Sequence, residues 1–330
     1  MKLTKEQLFA CARGAVSATQ EQDAVRLHRF TTEQEKLYES INAENFARSF
    51  ATAGVVLEFD TDSARLSLAV RCFKGSSRHW FVHSVFVDGR RIGELRGKYA
   101  ETETVEAEGS WELGSGMKRV KIFFPWSAGS YVRALELDDG AAFAPVKPEK
   151  TVLIYGDSIT HGYDASKPEN SYASIMAEYL GANCINKAIG GATFRPEVAQ
   201  LKDDLQPSLI TVAYGTNDWS GVNNEKLEAN ATAFYSALRE HYPDAPIVML
   251  APVWRHNWQR ERPVFAFRDI PEVFERIAAK VGNAYVVDCF DFIPHDPANY
   301  SPDVLHPSDA GFAFYAKNVI DTLKKLNIHI

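Results

Sequence analysis

Ser158 is the residue of this sequence whose position best suits a nucleophile. It lies in the segment 155–160, YGDSIT, directly after a compact apolar run at 151–155 that predicts a buried strand. A serine just past such a strand can project into a crevice and lie near the N-terminus of a helix. A Gly-Asp-Ser tripeptide is more often a turn with a helix cap. The serine therefore indicates catalysis only if the sequence also supplies its partners.

A base for this serine is offered by His306, which follows Asp303 by three residues in the segment 303–306, DVLH. A serine hydroxyl is a poor nucleophile until a histidine takes its proton. In a loop or single turn, the Asp303 carboxylate can reach Nδ1 of the imidazole and leave Nε2 free to accept that proton. This spacing distinguishes His306 among the nine histidines of the chain. An isolated Asp-x-x-His pair is still weak evidence, because such pairs also cap helices.

Two further segments offer hydrogen-bond donors for an oxyanion. The segment 186–193, NKAIGGAT, is expected to follow a second strand, which would lie before the apolar run at 209–214, and a glycine there lets a backbone N–H approach a substrate closely. The segment 215–218, GTND, follows the third strand, and its Asn217 carries a side-chain amide. Each segment alone would be an ordinary turn. Together with Ser158 and His306 they supply every part that acyl transfer needs.

These four segments, in this order and with these spacings, resemble the characteristic blocks of the SGNH hydrolases, the GDSL-type esterases. The resemblance covers residues 151–330 and implies a flavodoxin-like α/β domain. It implies that Ser158 is the nucleophile and that Asp303 and His306 complete a catalytic triad. The oxyanion donors would be the N–H groups of Ser158 and Gly191 and the amide of Asn217. Counting from Asn186, Gly191 fits the family's glycine better than Gly190 does.

Other hydrolytic chemistries lack their signatures here. The nucleophile elbow of α/β-hydrolases is Gly-x-Ser-x-Gly, but Thr160 stands two residues after Ser158. The sequence has no His-Glu-x-x-His or similar metal spacing, so no metal and no other cofactor is expected. His161 is expected to be a wall or helix residue, and Asp157 a structural hydrogen-bonding group.

The elements that must position these blocks are strands and helices in alternation. Compact apolar runs at 151–155, 209–214, 247–251 and 285–288 predict strands buried on both faces. Helical periodicities lie between and after them, at 172–180, 227–242, 273–281 and 312–323. This pattern predicts a parallel sheet flanked by helices, with reactive groups at the carboxyl ends of its strands.

The first half of the chain has a different character. Short alternating segments at 55–60, 64–72, 79–87, 117–124 and 131–137, with a hairpin signal at Asp88-Gly89, predict an antiparallel β-sandwich of jelly-roll type. Residues 1–50 are mostly helix-prone and polar and are expected to form a helix and an extension on the sandwich. Prolines at 145 and 148 mark a linker. The predicted domains are therefore residues 1–147 and residues 148–330.

The composition of the chain indicates which classes of binding partner to expect. The 330 residues carry a formal net charge of −7, which argues against a nucleic-acid binder. No stretch approaches the roughly 20 apolar residues of a membrane span. The N-terminus lacks a secretory apolar run and the four cysteines are scattered, which together predict a cytoplasmic protein with reduced thiols. Whether the chain forms homo-oligomers stays open.

Four residues are candidates for contact with the substrate. Trp254 lies in an aromatic, arginine-rich segment after a buried strand, where it could stack on a sugar ring or merely cover the core. Trp219 directly follows the Asn217 block. Asp164 and Arg195 lie near the Ser158 and Gly191 blocks, where they could bond a sugar hydroxyl or only shape their loops.

A sandwich directly before an SGNH domain is similar to the arrangement in family-two carbohydrate esterases. Some of those enzymes work as a Ser-His dyad, but the presence of Asp303 favours a full triad here. The expected function is hydrolysis of short acyl esters, with acetylated sugars as small-molecule substrates. Two alternatives stay open: a lysophospholipase or thioesterase, which would need a long acyl channel, and a carbohydrate-binding protein with an inactive hydrolase half.

Overall fold

The two halves of the chain differ in secondary structure as the sequence predicts: the first is mainly antiparallel strands, and the second alternates strands and helices. The computed structural model describes residues 1–221 and 223–328. The chain divides into two compact units: the first contains residues 1–149 with 167–169 and 183–185, and the second contains the rest of the described chain.

The first unit is built mainly of antiparallel strands. In chain order it contains α1 (Lys5–Ala10), β1 (Ala12–Arg13), β2 (Ser17–Glu21), β3 (Ala24–His28), α2 (Thr32–Ile41), α3 (Ala43–Ser49), β4 (Val56–Thr61), β5 (Arg65–Lys74), β6 (Trp80–Val87), β7 (Arg90–Lys98), β8 (Val105–Glu112), β9 (Lys118–Phe123), β10 (Ala128–Leu137) and β11 (Ala144–Pro145).

Within the described residues, these strands form two sheets. One has the order β1-β4-β9-β6-β7, with β11 added beside β4, and the other has the order β2-β3-β10-β5-β8. Alternate residues of the strands face a shared apolar core, because successive side chains of a strand point to opposite faces. Fully buried members of this core include Leu57, Val70, Val85, Val120, Ile122 and Leu135. The predicted β-sandwich is therefore confirmed.

The hairpin between β6 and β7 is confirmed at Asp88-Gly89. Val87 pairs with Arg90 across the turn. Both turn residues have positive φ, +47° at Asp88 and +77° at Gly89. Aspartate and glycine are the residue types that tolerate this backbone in two-residue hairpins.

The first 50 residues depart from their prediction. The helices α1, α2 and α3 are present, but residues 17–21 and 24–28 form β2 and β3, which belong to the second sheet. The polar strands β7 and β8 were also not predicted. In β8 exposed and half-buried residues alternate along the whole strand. Such strands carry little apolar signal, and they form because neighbouring strands satisfy their backbone hydrogen bonds.

The chain after residue 149, which contains the second unit, alternates strands and helices. It contains β12 (Thr151–Gly156), α4 (Ser158–His161), α5 (Tyr172–Leu180), β13 (Asn183–Asn186), α6 (Pro196–Gln200), β14 (Leu209–Ala213), α7 (Thr216–Ser220), α8 (Leu227–His241), β15 (Ile247–Leu250), α9 (Ile270–Val281), β16 (Ala284–Val287) and α10 (Asp309–Lys325). In this part of the described chain, five strands make one sheet in the order β13-β12-β14-β15-β16.

This sheet confirms the flavodoxin-like fold. Strands β12, β14, β15 and β16 pair in parallel, and the order corresponds to 2-1-3-4-5 in the chain. Its strand residues are buried on both faces, as the continuous apolar runs predict; among them are Leu153, Ile210, Val212, Val248 and Met249. The Ser158, Gly191 and Asn217 blocks directly follow β12, β13 and β14.

An ion pair inside the second unit anchors the segment that carries Gly191. Lys187 and Asp203 lie 2.5 Å apart, and each side chain is only 1% exposed. Breaking such a pair from one side leaves an uncompensated buried charge. No helix in the described part of the chain has the length and apolar character needed to cross a membrane.

Candidate active site

Ser158 is placed by the abrupt change from β12 to α4. It is the first residue of α4 and is 8% exposed. Asp157 caps the helix, because its side chain accepts the Ile159 N–H at 3.0 Å. A side chain at Gly156 would meet the Thr160 hydroxyl at 2.1 Å, so only glycine fits at the end of the strand. The local sequence thus turns the chain sharply at the serine.

His306 connects this serine to a carboxylate. Its Nε2 lies 2.8 Å from the Ser158 Oγ, and its Nδ1 lies 2.5 Å from an oxygen of Asp303. A carboxylate only accepts hydrogen bonds, so the Nδ1 proton points to Asp303 and Nε2 can accept the serine proton. The structure therefore brings together the three residues that the sequence predicts as a triad, although 148 positions separate Ser158 from His306.

The Asp303 carboxylate also shapes its own turn. Its second oxygen accepts the N–H groups of Leu305 and His306, both at 2.9 Å, and the Ser301 hydroxyl at 2.8 Å. Val304, the residue between Asp303 and Leu305, has a φ of +50°, a strained backbone for a β-branched residue. The hydrogen bonds to Asp303 hold this conformation and fix the direction of His306.

The same contacts determine the charge of Asp303. Burial opposes its ionisation, but the hydrogen bonds from the His306 side chain and from the two backbone N–H groups outweigh burial and hold its pKa well below the ordinary value. The carboxylate therefore stays ionised beside the imidazole over the whole range in which histidine titrates.

Two of the predicted oxyanion donors follow β13 and β14: Gly191 lies in the loop after β13, and Asn217 lies in the short helix α7 after β14. Gly191 is exposed and has a φ of +77°, a backbone that favours glycine. The Asn217 amide donates to the Ala192 carbonyl at 3.0 Å, which uses one of its two hydrogens. The Asn186 amide donates to the Thr160 carbonyl at 2.8 Å and ties this loop to α4.

His161 has a structural partner, as expected. It is buried, and its Nδ1 accepts the Gly190 N–H at 3.2 Å. This bond engages the N–H of Gly190, which favours Gly191 as the glycine whose N–H faces a substrate. A side chain at Gly190 would meet the Tyr163 hydroxyl at 2.5 Å, so this glycine makes room for a tyrosine beside the site.

Tyr163 is a neighbour of the triad that the sequence did not predict. Its ring stacks on the His306 ring, with centroids 5.5 Å apart and an interplanar angle of 27°. The adjacent Asp164 places a carboxylate oxygen 3.7 Å from the His306 Nδ1. Motif spacing gives no signal for these contacts, because they depend on how the turn after α4 folds back toward His306.

The candidate substrate residues differ in what the structure allows. The structure contradicts Trp219 as a substrate-contacting residue. Its ring is fully buried against Phe267, and its indole N–H donates to the Phe265 carbonyl. Trp254 is half-buried and stacks on His295 at 5.1 Å, so a neighbour already covers one of its faces.

The two remaining candidates are Arg195 and Asp164. Arg195 is half-buried just before α6, and its guanidinium makes no hydrogen bond to a residue that the structure describes. Asp164 lies beside His306, with a carboxylate oxygen 3.7 Å from Nδ1.

Two further carboxylates are buried near the site. Burial raises the pKa of Asp157 to about 6 and that of Asp218 to about 7. Asp218 accepts the Phe194 N–H at 3.0 Å with one oxygen. Its other oxygen has no hydrogen-bond partner among the described residues. Asp157 caps α4 and Asp218 lies in α7, and the apolar surroundings of both carboxyls destabilise their charged form.

Three side chains could in principle offer oxygen and nitrogen ligands to one cation. One atom each from Asp164, Asp303 and His306 lies within 4.8 Å of the others. A metal bound there would have to displace the Nδ1 proton that His306 shares with Asp303. The donor set therefore fits a charged hydrogen-bond network better than a metal centre.

Comparison with known proteins identifies the second unit. Residues 154–314 match the model of the GDSL-like lipase/acylhydrolase family. This part of the chain resembles that family. The resemblance of the four sequence blocks is thereby confirmed, and the protein is an enzyme of the carboxylic ester hydrolase class.

Solved structures share the fold of this chain over nearly its whole length. The salicylyl-acyltransferase SsfX3 from a tetracycline biosynthetic pathway is 24% identical, with a TM-score of 0.83, covering 96% of this chain and 94% of its own. A family-two carbohydrate esterase from Cellvibrio japonicus is 18% identical, with a TM-score of 0.69, covering 99% and 97%.

A family-two carbohydrate esterase from Clostridium thermocellum, in complex with cellohexaose, is also similar. It is 20% identical, with a TM-score of 0.64, and the match covers 84% of this chain and 94% of that one. These likenesses confirm the fold, including the sandwich that precedes the acylhydrolase unit. No curated protein sequence matches the chain.

Proposed function

We propose that this enzyme hydrolyses short acyl esters, above all acetyl esters of carbohydrates, through a triad of Ser158, His306 and Asp303. The observation that carries the proposal is the continuous hydrogen-bond chain from Asp303 through His306 to Ser158, at 2.5 and 2.8 Å. This is the geometry that activates a serine hydroxyl by general-base catalysis.

The first half-reaction forms an acyl-enzyme. The Ser158 Oγ attacks the ester carbonyl carbon while His306 Nε2 takes the hydroxyl proton, and Asp303 stabilises the imidazolium that results. The tetrahedral intermediate then collapses: the C–O bond to the sugar breaks, and His306 returns the proton to the departing alkoxide. The sugar leaves as an alcohol, and the acyl group stays on Ser158.

The second half-reaction regenerates the serine. Water loses a proton to His306 and attacks the acyl carbon, and the Ser158–acyl bond breaks as His306 gives that proton to the serine oxygen. In both steps the carbonyl oxygen becomes negative. The N–H groups of Ser158 and Gly191 and the Asn217 amide are the donors proposed to stabilise it.

Two observations support a carbohydrate ester as the substrate. Family-two carbohydrate esterases share the fold of both units, and one of them is described in complex with cellohexaose. The loop after β15 is rich in tryptophan and arginine, side chains that suit the apolar faces and hydroxyl edges of a sugar. Polar loops of this kind favour a short acyl group over a lipid chain.

Acetate release tests the proposal. Wild type and Ser158→Ala are incubated with acetylated mono- and oligosaccharides and with p-nitrophenyl acetate. We expect the variant to lose about 10⁴-fold to 10⁶-fold in kcat, as removal of a triad member does in other serine hydrolases. A Ser158→Ala protein that releases acetate at the wild-type rate would overturn the triad. An intact wild type that binds sugars but cleaves no ester would support a binding protein instead.

A second candidate is acyl transfer to an acceptor other than water. It is favoured by the similarity to a salicylyl-acyltransferase over 96% of this chain. Both functions share the acyl-enzyme, and they differ in what attacks it. Added alcohols should divert the acyl group into a new ester if transfer dominates. A chain-length series of nitrophenyl esters separates both from a lysophospholipase or thioesterase, which would prefer long chains.

A further inference from the structure

A second carboxylate faces the same nitrogen of His306 that Asp303 holds. An Asp164 oxygen lies 3.7 Å from Nδ1, and the Asp303 oxygen lies 2.5 Å from it. The Asp164 and His306 side chains are 16% and 12% exposed, so little solvent screens this pair. Asp303, by contrast, is 39% exposed.

The backbone of Asp164 is held in an uncommon conformation to make this approach. Gly162 ends α4 with a φ of +108°, and Asp164 has a φ of +70°. A left-handed non-glycine residue costs free energy and persists where the surrounding structure enforces it. Between these two positions Tyr163 stacks on the His306 ring, in the space that Gly190 leaves. The turn after α4 thus encloses His306 on the side away from Ser158.

We propose that Asp164 is a positioning residue of the triad, a second carboxylate that steadies the protonated His306 and replaces Asp303 in part when Asp303 is lost. This inference rests on the proposed function of Ser158 and His306. At 3.7 Å the Asp164 oxygen is too far for a hydrogen bond to Nδ1 but near enough for a charge interaction. That interaction strengthens when the imidazole becomes imidazolium during the attack of Ser158.

The proposal makes a specific prediction for a cycle of two substitutions. Asp303→Asn keeps an oxygen for the backbone N–H groups of the turn, and Asp164→Asn tolerates positive φ. With Asp303 present, Asp164→Asn should lower kcat for p-nitrophenyl acetate by about 3-fold. In the Asp303→Asn background, Asp164 is the remaining carboxylate at Nδ1. Adding Asp164→Asn to that background should lower kcat by a further factor of about 10 to 30.

Matched variants separate positioning from folding. Asp164→Gly removes the carboxylate but accepts a φ of +70°, so it should reproduce the effect of Asp164→Asn. Asp88→Asn changes another left-handed aspartate, in the β6–β7 hairpin, and should leave kcat within about 2-fold in both backgrounds. Equal losses from Asp164→Asn with and without Asp303 would overturn the proposal, since a purely structural role acts equally in both.

A spectroscopic measurement decides the question without turnover. In protein labelled with ¹⁵N-histidine, the Nδ1 proton of His306 is assigned by its absence in His306→Gln. In Asp303→Asn we expect the Asp164 carboxylate to move within hydrogen-bond distance of Nδ1 and to keep this proton protected from exchange. In Asp303→Asn/Asp164→Asn the protection should be lost. Its loss in Asp303→Asn alone would overturn the role of Asp164. The proposed function has a separate test: wild-type activity in Ser158→Ala would contradict the triad, whatever Asp164 does.

Discussion

Among the described residues, two histidines lie between a carboxylate and a hydroxyl, one in each unit. In the sandwich, His28 has Nδ1 2.9 Å from Glu35 and Nε2 2.8 Å from the Thr19 hydroxyl. In the acylhydrolase unit, His306 has the corresponding distances of 2.5 and 2.8 Å to Asp303 and Ser158. The two hydrogen-bond chains are nearly alike in length.

Their surroundings are not alike. Thr19 lies in the middle of β2, and its hydroxyl donates to Glu21 at 2.8 Å, so its proton is committed away from His28. Glu35 also holds Arg26 in an ion pair. Ser158, by contrast, is the first residue of α4, and the Gly191 N–H and the Asn217 amide are its proposed oxyanion donors. A carboxylate–histidine–hydroxyl chain thus becomes a catalytic candidate only where the hydroxyl can give up its proton and an oxyanion has donors.

Replacing the histidine in each chain gives the largest expected contrast. His306→Gln should lower kcat for p-nitrophenyl acetate by about 10⁴-fold, because Ser158 loses its base. His28→Gln should leave kcat within about 2-fold, since no part of the proposed reaction uses His28. Steady-state kinetics of the two variants measure this. Comparable losses in both would contradict the distinction drawn here.

The proposed oxyanion donors provide the second contrast. Asn217→Ala should lower kcat about 10²-fold to 10³-fold with little change in KM, because the oxyanion forms only along the reaction path. The matched control is Asn223→Ala, whose amide donates to Thr193 at 3.0 Å; it should change kcat by less than about 3-fold. A rise in KM alone for Asn217→Ala would assign this amide to substrate binding.

The carboxylates should differ in what they do for stability. Glu35→Ala leaves the buried Arg26 without its partner and should lower the free energy of unfolding by about 3 kcal/mol. Asp303→Asn removes a charge that is more exposed and should cost less than about 1 kcal/mol. Urea unfolding followed by circular dichroism compares the two. A greater loss from Asp303→Asn would reverse the assignment of structural and catalytic carboxylates.

Asp218 gives an effect that is visible only as a dependence of stability on pH. Burial raises its pKa to about 7, so between the ordinary value near 3.9 and 7 the folded protein holds a proton that the unfolded chain has released. The free energy of unfolding therefore falls as pH rises through this window.

Asp218→Asn cannot ionise and should escape this loss. Its melting temperature relative to wild type should rise by a few degrees between about pH 4 and pH 7.5. Differential scanning calorimetry at the two pH values measures it. Glu35 has both Arg26 and His28 as partners, and Glu35→Gln should not reproduce the gain. A constant difference for Asp218→Asn would show that its carboxyl ionises at the same pH in the folded and unfolded protein, which would contradict the raised pKa.

Prediction from the sequence succeeded best where the signal was local. The apolar runs of the parallel sheet and the helix over Tyr172–Leu180 match the structure, because these residues are buried whatever their neighbours are. The strand β3 was missed because its place beside β10, and not its composition, makes it a strand. Trp219 was misjudged for a related reason, since nothing in its position after Asn217 reveals that Phe267 covers it.

The sequence by itself determined the chemistry: a serine after a strand, an aspartate three residues before a histidine, and glycine and asparagine on the intervening loops. These are local patterns, and each reflects a turn that its own residues enforce. The tertiary structure decided which groups meet across the chain, such as Asp164 and Tyr163 around His306. It also decided which hydroxyl beside a histidine, Ser158 or Thr19, keeps its proton available. Those outcomes depend on packing between distant segments, where the energy of a contact depends on the fold and not on the spacing of residues.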